Sequence, residues 1–238
     1  MSPFSFTLNS MTISPGRPYD LVAFDIDGTL VQAPDDRTVW EVLNKRFTGR
    51  SDQNKERFAL FRQGRLSYAE WVALDINGWK DAGARRDDLI AAFQPLRLIS
   101  GARETLERLK QAGYRLVVIS GTLDLMLNTL LPEHPFDEVH ANHIGFDDEG
   151  RISHWKATPF DMQGKARLLR AIAMRERIPL ARCAYVGDSD NDVWVAREAG
   201  FTVALNPKSR ELERVADVSV RSADLRSILP HFLEPESG

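Results

Sequence analysis

Several short apolar runs in this chain end abruptly at polar residues, and this repeated pattern constrains the fold more than any other feature. Uninterrupted runs of this kind are typical of strands buried on both faces of a parallel sheet. They are Leu21–Phe24, Leu116–Ile119, Cys183–Val186 and Thr202–Leu205, with Val218–Val220 as a short last strand. Amphipathic segments that predict helices lie between them at Ala102–Gln111, Lys165–Arg177 and Asp192–Ala199. The alternation predicts an α/β fold with a Rossmann-like parallel sheet core and helices on both faces.

The stretch 32–98 interrupts this alternation. It has helical patterns at Thr38–Phe47, Gln53–Arg62 and Tyr68–Asn77, and no strand-like run. We therefore expect a small α-helical cap domain at 32–98, inserted into an α/β core formed by 19–31 and 99–232. A cap that follows the first strand would cover that end of the sheet, exclude water and select the substrate. A merely structural helical insertion is the alternative.

Composition narrows the classes of partner. The chain has 238 residues, a formal net charge of −3 and 43% hydrophobic residues, as expected of a soluble globular protein. The chain has no excess of basic residues of the kind that binds nucleic acid. It also has no apolar run that approaches membrane-spanning length. We expect a small-molecule partner, no nucleic acid, no membrane, and a monomer or homodimer.

The single cysteine and the first residues bear on the cellular compartment. Cys183 lies within an apolar run, which predicts a buried thiol. Because it is the single cysteine, no internal disulfide can form, and we expect a cytoplasmic protein. Residues 1–18 are rich in Ser, Thr and Pro and lack the features of a secretory signal. We expect them to form a loose N-terminal tail.

Two carboxylates, Asp25 and Asp27, follow the first apolar run at the point where its strand should end. Ligands of open α/β sheets bind beyond the carboxyl ends of the strands, which favours a functional site here. A turn at Asp27-Gly28 with Asp25 as a helix cap is the alternative. That alternative does not explain why Asp25 directly follows four apolar residues, where an ionised carboxylate loses water without compensation.

Candidate partners for these carboxylates follow later in the chain. Ser120 and Gly121 end a predicted strand, where a hydroxyl and a backbone N–H can hold an anionic oxygen, although an ordinary strand-to-loop turn also explains them. Lys165 opens a predicted helix, where a cation opposes the macrodipole, so an anion close to it would compensate the charge. A surface lysine that tolerates the position is the alternative.

A third cluster places Asp188, Asp190 and Asp192 directly after a buried strand. Repulsion at this density calls for a cation or for helix N–H donors. The segment does not match an EF-hand loop. Val193 occupies the position where that loop needs glycine, and Ala199 the position where it needs glutamate. A hard-oxygen Mg²⁺ site shared with Asp25 and the main chain of Asp27 fits better.

Taken in order, these motifs give the chain a family resemblance. It resembles the haloacid dehalogenase superfamily of phosphatases, and most closely the phosphoserine-phosphatase-like branch. The four motifs of that superfamily are matched by Asp25-Ile26-Asp27-Gly28-Thr29, Ser120-Gly121-Thr122, Lys165 and Gly187-Asp188-Ser189-Asp190-Asn191-Asp192. The resemblance implies an Mg²⁺-dependent phosphatase that hydrolyses a small phosphorylated metabolite.

The resemblance also implies a role for each matched residue. Asp25 would be the nucleophile that forms an aspartyl-phosphate, and Asp27 would protonate the leaving alcohol and later deprotonate the attacking water. The implied substrate-binding residues are Ser120, Gly121, Lys165 and Asn191. The implied metal-binding residues are Asp25, Asp27 through its carbonyl, Asp188 and Asp192.

The chain departs from this branch where phosphoserine phosphatases recognise serine. They place a glutamate soon after the first motif and an arginine in the cap, whereas this chain has Pro34-Asp35-Asp36 and a stretch 66–75 without arginine. We therefore expect a substrate range that is not confined to phosphoserine, although Asp35 with Arg62 or Arg65 could substitute. The cap is also rich in aromatic residues, which either form its core or line a pocket, even one for a quaternary ammonium ligand. They are Trp40, Phe58, Phe61, Tyr68, Trp71 and Trp79.

Other functions stay open at this point. A phosphotransferase or mutase of the same superfamily would pass the phosphoryl group to an acceptor other than water, and a non-catalytic phosphate-binding regulator would keep the motifs without turnover. His140, His143 and His154 flank a probable hairpin at Asp147–Gly150, where a turn explains the sequence better than a zinc site.

Overall fold

The computed structural model describes residues 17–158 and 162–234. Its strands are β1 (Leu21–Phe24), β2 (Val31–Gln32), β3 (Arg97–Leu98), β4 (Arg115–Leu123), β5 (Glu138–Phe146), β6 (Ile152–Lys156), β7 (Cys183–Gly187), β8 (Phe201–Leu205) and β9 (Val218–Val220). Its α-helices are α1 (Val39–Thr48), α2 (Gln53–Arg62), α3 (Tyr68–Asp81), α4 (Arg86–Ala92), α5 (Ala102–Gln111), α6 (Asp124–Leu130), α7 (Gln163–Glu176), α8 (Val193–Ala196) and α9 (Arg210–Val215).

Across the described ranges, the main sheet has seven strands in the order β6-β5-β4-β1-β7-β8-β9. All neighbours are parallel except β5 and β6, which form an antiparallel hairpin. β1 is central, and its Leu21 lies opposite Arg115 of β4 and Cys183 of β7. The predicted Rossmann-like α/β fold is confirmed, with a mostly parallel rather than fully parallel sheet.

Alternate residues of β1 pack on opposite faces of the sheet. Leu21 and Ala23 belong to an apolar cluster with α7, whereas Val22 and Phe24 belong to a second cluster with α5 and α6. Both faces are therefore covered by helices, which explains why the strand has no polar residue until its carboxyl end.

The helices α1 to α4 lie between β2 and β3, which pair with each other as a small antiparallel ribbon. Capping boxes begin two of these helices, because Thr38 accepts from the amide of Glu41 and Ser67 from that of Glu70. The ribbon differs from the prediction of a segment without strands, and α4 is a further helix beside the three named from the sequence. Strands of two residues carry no periodicity from which they could be predicted.

Other elements differ from the sequence expectations in length. β4 continues to Leu123 instead of ending at Ile119, with an irregular register between these residues. The predicted helix Asp192–Ala199 is a 3-10 turn at Asp190–Asp192 followed by the four-residue α8. The expected turn at Asp147–Gly150 is present, and it connects β5 to β6.

Cys183 is fully buried in β7, and burial raises the pKa of its thiol to about 11. Residues 1–16 of the predicted tail lie outside the described residues, whereas the Arg17 guanidinium lies 5.4 Å from the ring centroid of Tyr114. Within the part of the chain that the structure describes, no helix has the length and apolar character needed to cross a membrane.

Candidate active site

Asp25 stands directly after β1, where its backbone amide still donates to the carbonyl of Val186 on β7 (3.0 Å). Its side chain is buried, with Oδ1 accepting from the amide of Ile26 and Oδ2 lying 3.0 Å from Lys165 Nζ. Burial raises the pKa of Asp25, and the positive charge of Lys165 opposes this effect without cancelling it. The strand end therefore fixes a carboxylate that depends on a neighbouring cation.

Lys165 is that cation, and it lies in the first turn of α7 with no exposed surface. Its Nζ contacts Asp25, Asp192 Oδ1 (2.6 Å) and the Tyr185 hydroxyl (3.3 Å). Burial alone would lower the pKa of Lys165, but the charges of Asp192 and Asp25 outweigh it, so the pKa is raised. The anions that its helix position calls for are thus Asp25 and Asp192. Lys165 lies behind these carboxylates and is not among the residues that line the cavity described below.

Asp27 is partly buried beside Asp25, and its Oδ1 lies 3.4 Å from the amide of Val39 at the start of α1. Burial raises the pKa of Asp27 to about 7, and the negative charge of Asp25 adds to the effect. Two carboxyl groups two residues apart thus have different electrostatic environments, because only Asp25 is paired with a cation. Such a difference allows one group to stay ionised while the other carries a proton near neutral pH.

Ser120 and Gly121 lie in β4, next to β1. Ser120 is buried, accepts from the amide of Thr122 and opposes the upward shift of the pKa of Asp25. The carbonyl of Gly121 accepts from Trp40 Nε1 (2.9 Å), Tyr68 Oη (3.1 Å) and Asn142 Nδ2 (2.7 Å). Side chains of α1 and α3 are therefore hydrogen-bonded to β4 at the residue that follows Ser120.

Asp188 follows β7 and is buried close to Asp25. Its Oδ2 pairs with Lys208 Nζ at 3.2 Å, whereas its Oδ1 has no hydrogen-bond partner among the described residues. Burial raises the pKa of Asp188 to about 8, and the charges of Asp192 and Asp25 contribute. Gly28 approaches this carboxylate with a φ of +82°, and a Cβ at Gly28 would collide with it.

Asp192 is fully buried, and both of its oxygens accept hydrogen bonds. Oδ1 accepts from Lys165 and from the Tyr185 hydroxyl (2.6 Å), and Oδ2 accepts from the amides of Asp188 (2.9 Å) and Ser189 (3.1 Å). Asp192 thus joins β7, α7 and the loop that carries Asp188. Asn191 lines the cavity, and its Oδ1 accepts from the Ser189 hydroxyl at 2.8 Å.

Asp25, Asp188 and Asp192 each offer a carboxylate oxygen within 4.8 Å of the others. An all-oxygen donor set of this kind suits Mg²⁺, which accepts few protein ligands and keeps waters. The unpartnered Oδ1 of Asp188 and the raised pKa of its carboxyl are what a missing cation would leave behind. The residues present therefore fit Mg²⁺. The carboxylates of Asp188 and Asp25 accept fewer hydrogen bonds than that of Asp192, so they have more oxygen lone pairs available for a metal ion.

A cavity of about 300 Å³ opens over these carboxylates. Its catalytic end is lined by Asp25, Asp27, Ser120, Gly121, Asp188 and Asn191. Its other end, named the cap end here because α1, α2 and α3 form it, is lined by Trp40, Asn54, Phe58, Tyr68, Trp71 and Asp75. The structure thus brings the sequence-predicted residues to one cavity, except for Lys165 and Asp192, which lie behind its wall.

The cap aromatics divide between the two roles expected for them. Trp40, Phe58, Tyr68 and Trp71 line the cavity, whereas Trp79 is buried and donates to Asn44 Oδ1. Two histidines of the hairpin β5–β6 pair with neighbouring acids, His143 with Asp124 and His140 with Glu138, whereas His154 lies 2.9 Å from the Ser153 hydroxyl. Within the described residues, no cluster of three metal-ligating groups forms around them.

Sequence reasoning missed two residues that organise the site. Tyr185 lies within an apolar run, where a lone buried hydroxyl is the signal that a partner is required, and that partner is Asp192. Asn142 is fully buried in β5, where its Nδ2 donates to Gly121 and Tyr68 and its Oδ1 accepts from the amide of Thr158. No local pattern distinguishes Asn142 from other polar strand residues.

Comparison with known proteins is consistent with this geometry. Residues 19–200 match the family model of haloacid dehalogenase-like hydrolases. The phosphoserine phosphatase of Methanocaldococcus jannaschii is 28% identical over 212 residues, which cover 89% of this chain and 97% of that protein. Phosphoserine phosphatase SerB2 of Mycobacterium tuberculosis is 31% identical over 209 residues, covering 88% of this chain and 49% of that protein.

Solved structures give the same result. A phosphoserine phosphatase with an analogue of the phospho-aspartyl intermediate has a TM-score of 0.71 and 26% identity, over 90% of this chain and 98% of that one. A substrate-bound phosphoserine phosphatase complex has the same TM-score, identity and coverage. The fold of this chain is thus similar, over 90% of its length, to that of these phosphoserine phosphatase structures.

Proposed function

The chain belongs to the haloacid dehalogenase-like hydrolase family, as a phosphoric monoester hydrolase similar to phosphoserine phosphatases, and we propose that it hydrolyses a small phosphorylated metabolite through an aspartyl-phosphate. The observation that carries the proposal is the convergence of Asp25, paired with Lys165, and Asp27 in one cavity. We propose 19–31 and 99–232 as the catalytic core, 32–98 as the cap, and the cytoplasm as its location.

In this proposal the ionised Asp25 attacks phosphorus in line with the leaving oxygen, forming the aspartyl-phosphate. The protonated Asp27 gives its proton to the leaving alcohol, and its carboxylate then takes a proton from the water that cleaves the intermediate. A pKa of about 7 suits both steps, because Asp27 can carry the proton in the first and accept one in the second.

The remaining motif residues would bind the phosphoryl group and balance charge. Ser120 and the Gly121 amide are assigned to phosphoryl oxygens, and Asn191 supports the same end of the cavity. Lys165 keeps Asp25 charged and is close enough to it to attract a phosphoryl group bound there. Asp192 holds Lys165 and the Asp188 loop in place.

We propose Mg²⁺ as the cofactor, held by Asp25, Asp188 and the main-chain carbonyl of Asp27, with Asp192 supporting it. When bound, it would supply positive charge that neutralises the phosphoryl oxygens. The unpartnered Oδ1 of Asp188 supports this assignment.

The proposal is tested by trapping the phosphorylated protein. Acid quenching during turnover of a ³²P-labelled phosphomonoester in Mg²⁺ should yield labelled protein that hydroxylamine discharges, as expected of an acyl phosphate. Asp25→Asn should give no label and lose nearly all phosphate release, whereas the exposed hairpin control Asp148→Asn should keep both. An Asp25→Asn variant that retains more than a few per cent of the activity would contradict the assignment.

Transfer to an acceptor other than water is the second candidate, because the same intermediate could be attacked by an alcohol. Product analysis with added alcohols distinguishes the two: release of inorganic phosphate alone supports hydrolysis, and phosphorylated alcohol supports transfer. Tight phosphate binding without turnover of p-nitrophenyl phosphate would instead favour a non-catalytic regulator.

A further inference from the structure

The cap end of the cavity is an aromatic enclosure. Trp40, Phe58, Tyr68 and Trp71 line it, and the ring centroids of Tyr68 and Phe58 each lie 6.3 Å from that of Trp71. Aromatic ring faces carry negative electrostatic potential and attract cations when the site is shielded from water. A leaving group bound here would therefore be surrounded by ring surface.

A buried carboxylate, Asp75, forms part of the same wall. Its Oδ1 accepts from Asn44 Nδ2 (2.6 Å) and pairs with Arg57, whereas its Oδ2 has no partner within hydrogen-bond distance among the described residues. Burial raises the pKa of this carboxyl, and the charge of Arg57 and the neighbouring side chains of Asn44 and Trp71 oppose the shift. A buried carboxylate oxygen without a donor is costly, and native proteins rarely leave one unpaired unless a ligand or water completes it.

A second unpartnered acceptor reinforces this pattern. Asn54, on α2, also lines the cap end, and its Oδ1 is buried without a donor in the described part of the chain. Both incomplete groups are acceptors, so the missing ligand atoms are donors. A donor-rich group among aromatic rings and beside a carboxylate is best matched by a protonated amine.

The cations near the cavity are already engaged. Arg37 and Lys208 line it but pair with Asp35 and Asp188, and Arg57 pairs with Asp75. A carboxylate on the leaving group would thus find no unpaired cation among these residues, and it would have to compete with Asp75 for Arg57.

We propose that the leaving alcohol carries a protonated amine and no carboxylate, so that the substrate is an aminoalkyl phosphomonoester whose ammonium group donates to Asp75 and lies against the cap aromatics. This inference rests on the proposed phosphatase function and names its substrate class.

The first experiment measures binding, so that it does not depend on turnover. With Mg²⁺ present, 2-aminoethylphosphonate should bind at least about 10-fold more tightly than propylphosphonate, which replaces the ammonium by a methyl group of similar size, because a hydrogen bond to a buried charge is worth that much. Equal affinities would overturn the proposal even if the protein hydrolyses phosphomonoesters.

The second experiment compares kcat/KM for 2-aminoethyl phosphate, propyl phosphate and phosphoserine within each protein variant. We expect the amine-to-propyl ratio to exceed about 10 in the parent and to collapse towards 1 in Asp75→Asn. Asp81→Asn, the same change at an exposed position of α3, should leave the ratio unchanged. A preference for phosphoserine over 2-aminoethyl phosphate, or a ratio unaffected by Asp75→Asn, would overturn the proposal.

Phe58→Leu provides an independent variant, because Phe58 is partly exposed and its replacement keeps an apolar side chain. Loss of one cation–π contact should lower the ratio about 2- to 5-fold. An unchanged ratio would remove the aromatic part of the proposal. Absence of any phosphate release, from p-nitrophenyl phosphate as well, would instead refute the proposed function while the phosphonate affinities still decide on the amine.

Discussion

The two ends of the cavity differ in how completely their polar groups are partnered. At the catalytic end Asp192 accepts four hydrogen bonds and Lys165 contacts three partners, so charges are fixed before any substrate arrives. At the cap end, acceptors on Asp75 and Asn54 have no donor among residues 17–158 and 162–234. We propose that the core fixes the charges used in catalysis, while the leaving group is selected by groups whose hydrogen bonds a ligand or water completes.

The catalytic end also departs from this rule in the described part of the chain, where Asp188 Oδ1 has no hydrogen-bond partner. Asp188 Oδ1 lies where we propose that Mg²⁺ binds, so the metal ion would provide the partner for this oxygen. The hydrogen bonds indicate that the catalytic end tolerates few substitutions and that the cap end tolerates more. Substitutions at the two ends test this difference.

Lys165→Met should have the largest effect, because it removes the cation shared by Asp25 and Asp192. We expect a loss of about 3–5 kcal/mol in the free energy of unfolding, since buried carboxylates are left unpaired. Activity should fall about 10³-fold. Urea denaturation and kcat/KM measure the two effects. A stable, active variant would show that the catalytic end does not depend on this charge network.

Asp27→Asn should lower kcat for alkyl phosphates about 10²-fold, because an amide cannot protonate the leaving oxygen. The effect should be smaller for p-nitrophenyl phosphate, whose leaving group needs no proton. Equal losses on both substrates would place the role of Asp27 elsewhere than in proton transfer.

The parent protein should show the corresponding pH dependence. Asp27 must be protonated for the first step and its pKa is about 7, so kcat for an alkyl phosphate should fall as pH rises above about 7. That descending limb should be absent in Asp27→Asn. A pH profile shared by parent and variant would contradict the assignment.

Gly28→Ala should weaken Mg²⁺ binding about 10- to 100-fold, because its Cβ would displace the Asp188 carboxylate and its backbone needs a positive φ. Calorimetric titration with Mg²⁺ measures the change. The matched control is Gly49→Ala, which also has a positive φ but no atom near its added Cβ. Equal Mg²⁺ affinities in the two variants would separate Gly28 from the metal site.

Trp40→Phe should have the smallest effect, a loss of about 2- to 10-fold in kcat/KM, because it removes one of three donors to the Gly121 carbonyl. Steady-state kinetics with p-nitrophenyl phosphate is sufficient. A loss as large as that of Lys165→Met would show that the cap is as strictly specified as the core.

The sequence predicts the catalytic end well because each of its motifs is local. Asp25, Ser120 and Asp188 each follow an apolar run, and parallel strands place their carboxyl ends at one edge. The contacts of Asp192 were not predictable in the same way, since Lys165 and Tyr185 reach it from different elements.

The cap end was predictable only in composition. Its aromatic content was evident, but which residues line the cavity depends on how α1, α2 and α3 pack, and helical periodicity does not encode that packing. Asp75 is an example, since it reads as an ordinary polar residue of α3 although it is buried beside Arg57 of α2. The antiparallel β6 gives no apolar run, and only the turn residues at Asp147–Gly150 indicated the hairpin to which it belongs.

The buried thiol of Cys183 can be used to measure unfolding of the native chain. It is the only cysteine, it lies in the strand next to β1, and its raised pKa leaves almost no thiolate near neutral pH. A thiol reagent can therefore reach it only after the central sheet opens, and the labelling rate measures that opening. Any compound that binds the folded cavity slows the labelling in proportion to its affinity and concentration, so candidate ligands can be ranked without an enzymatic assay.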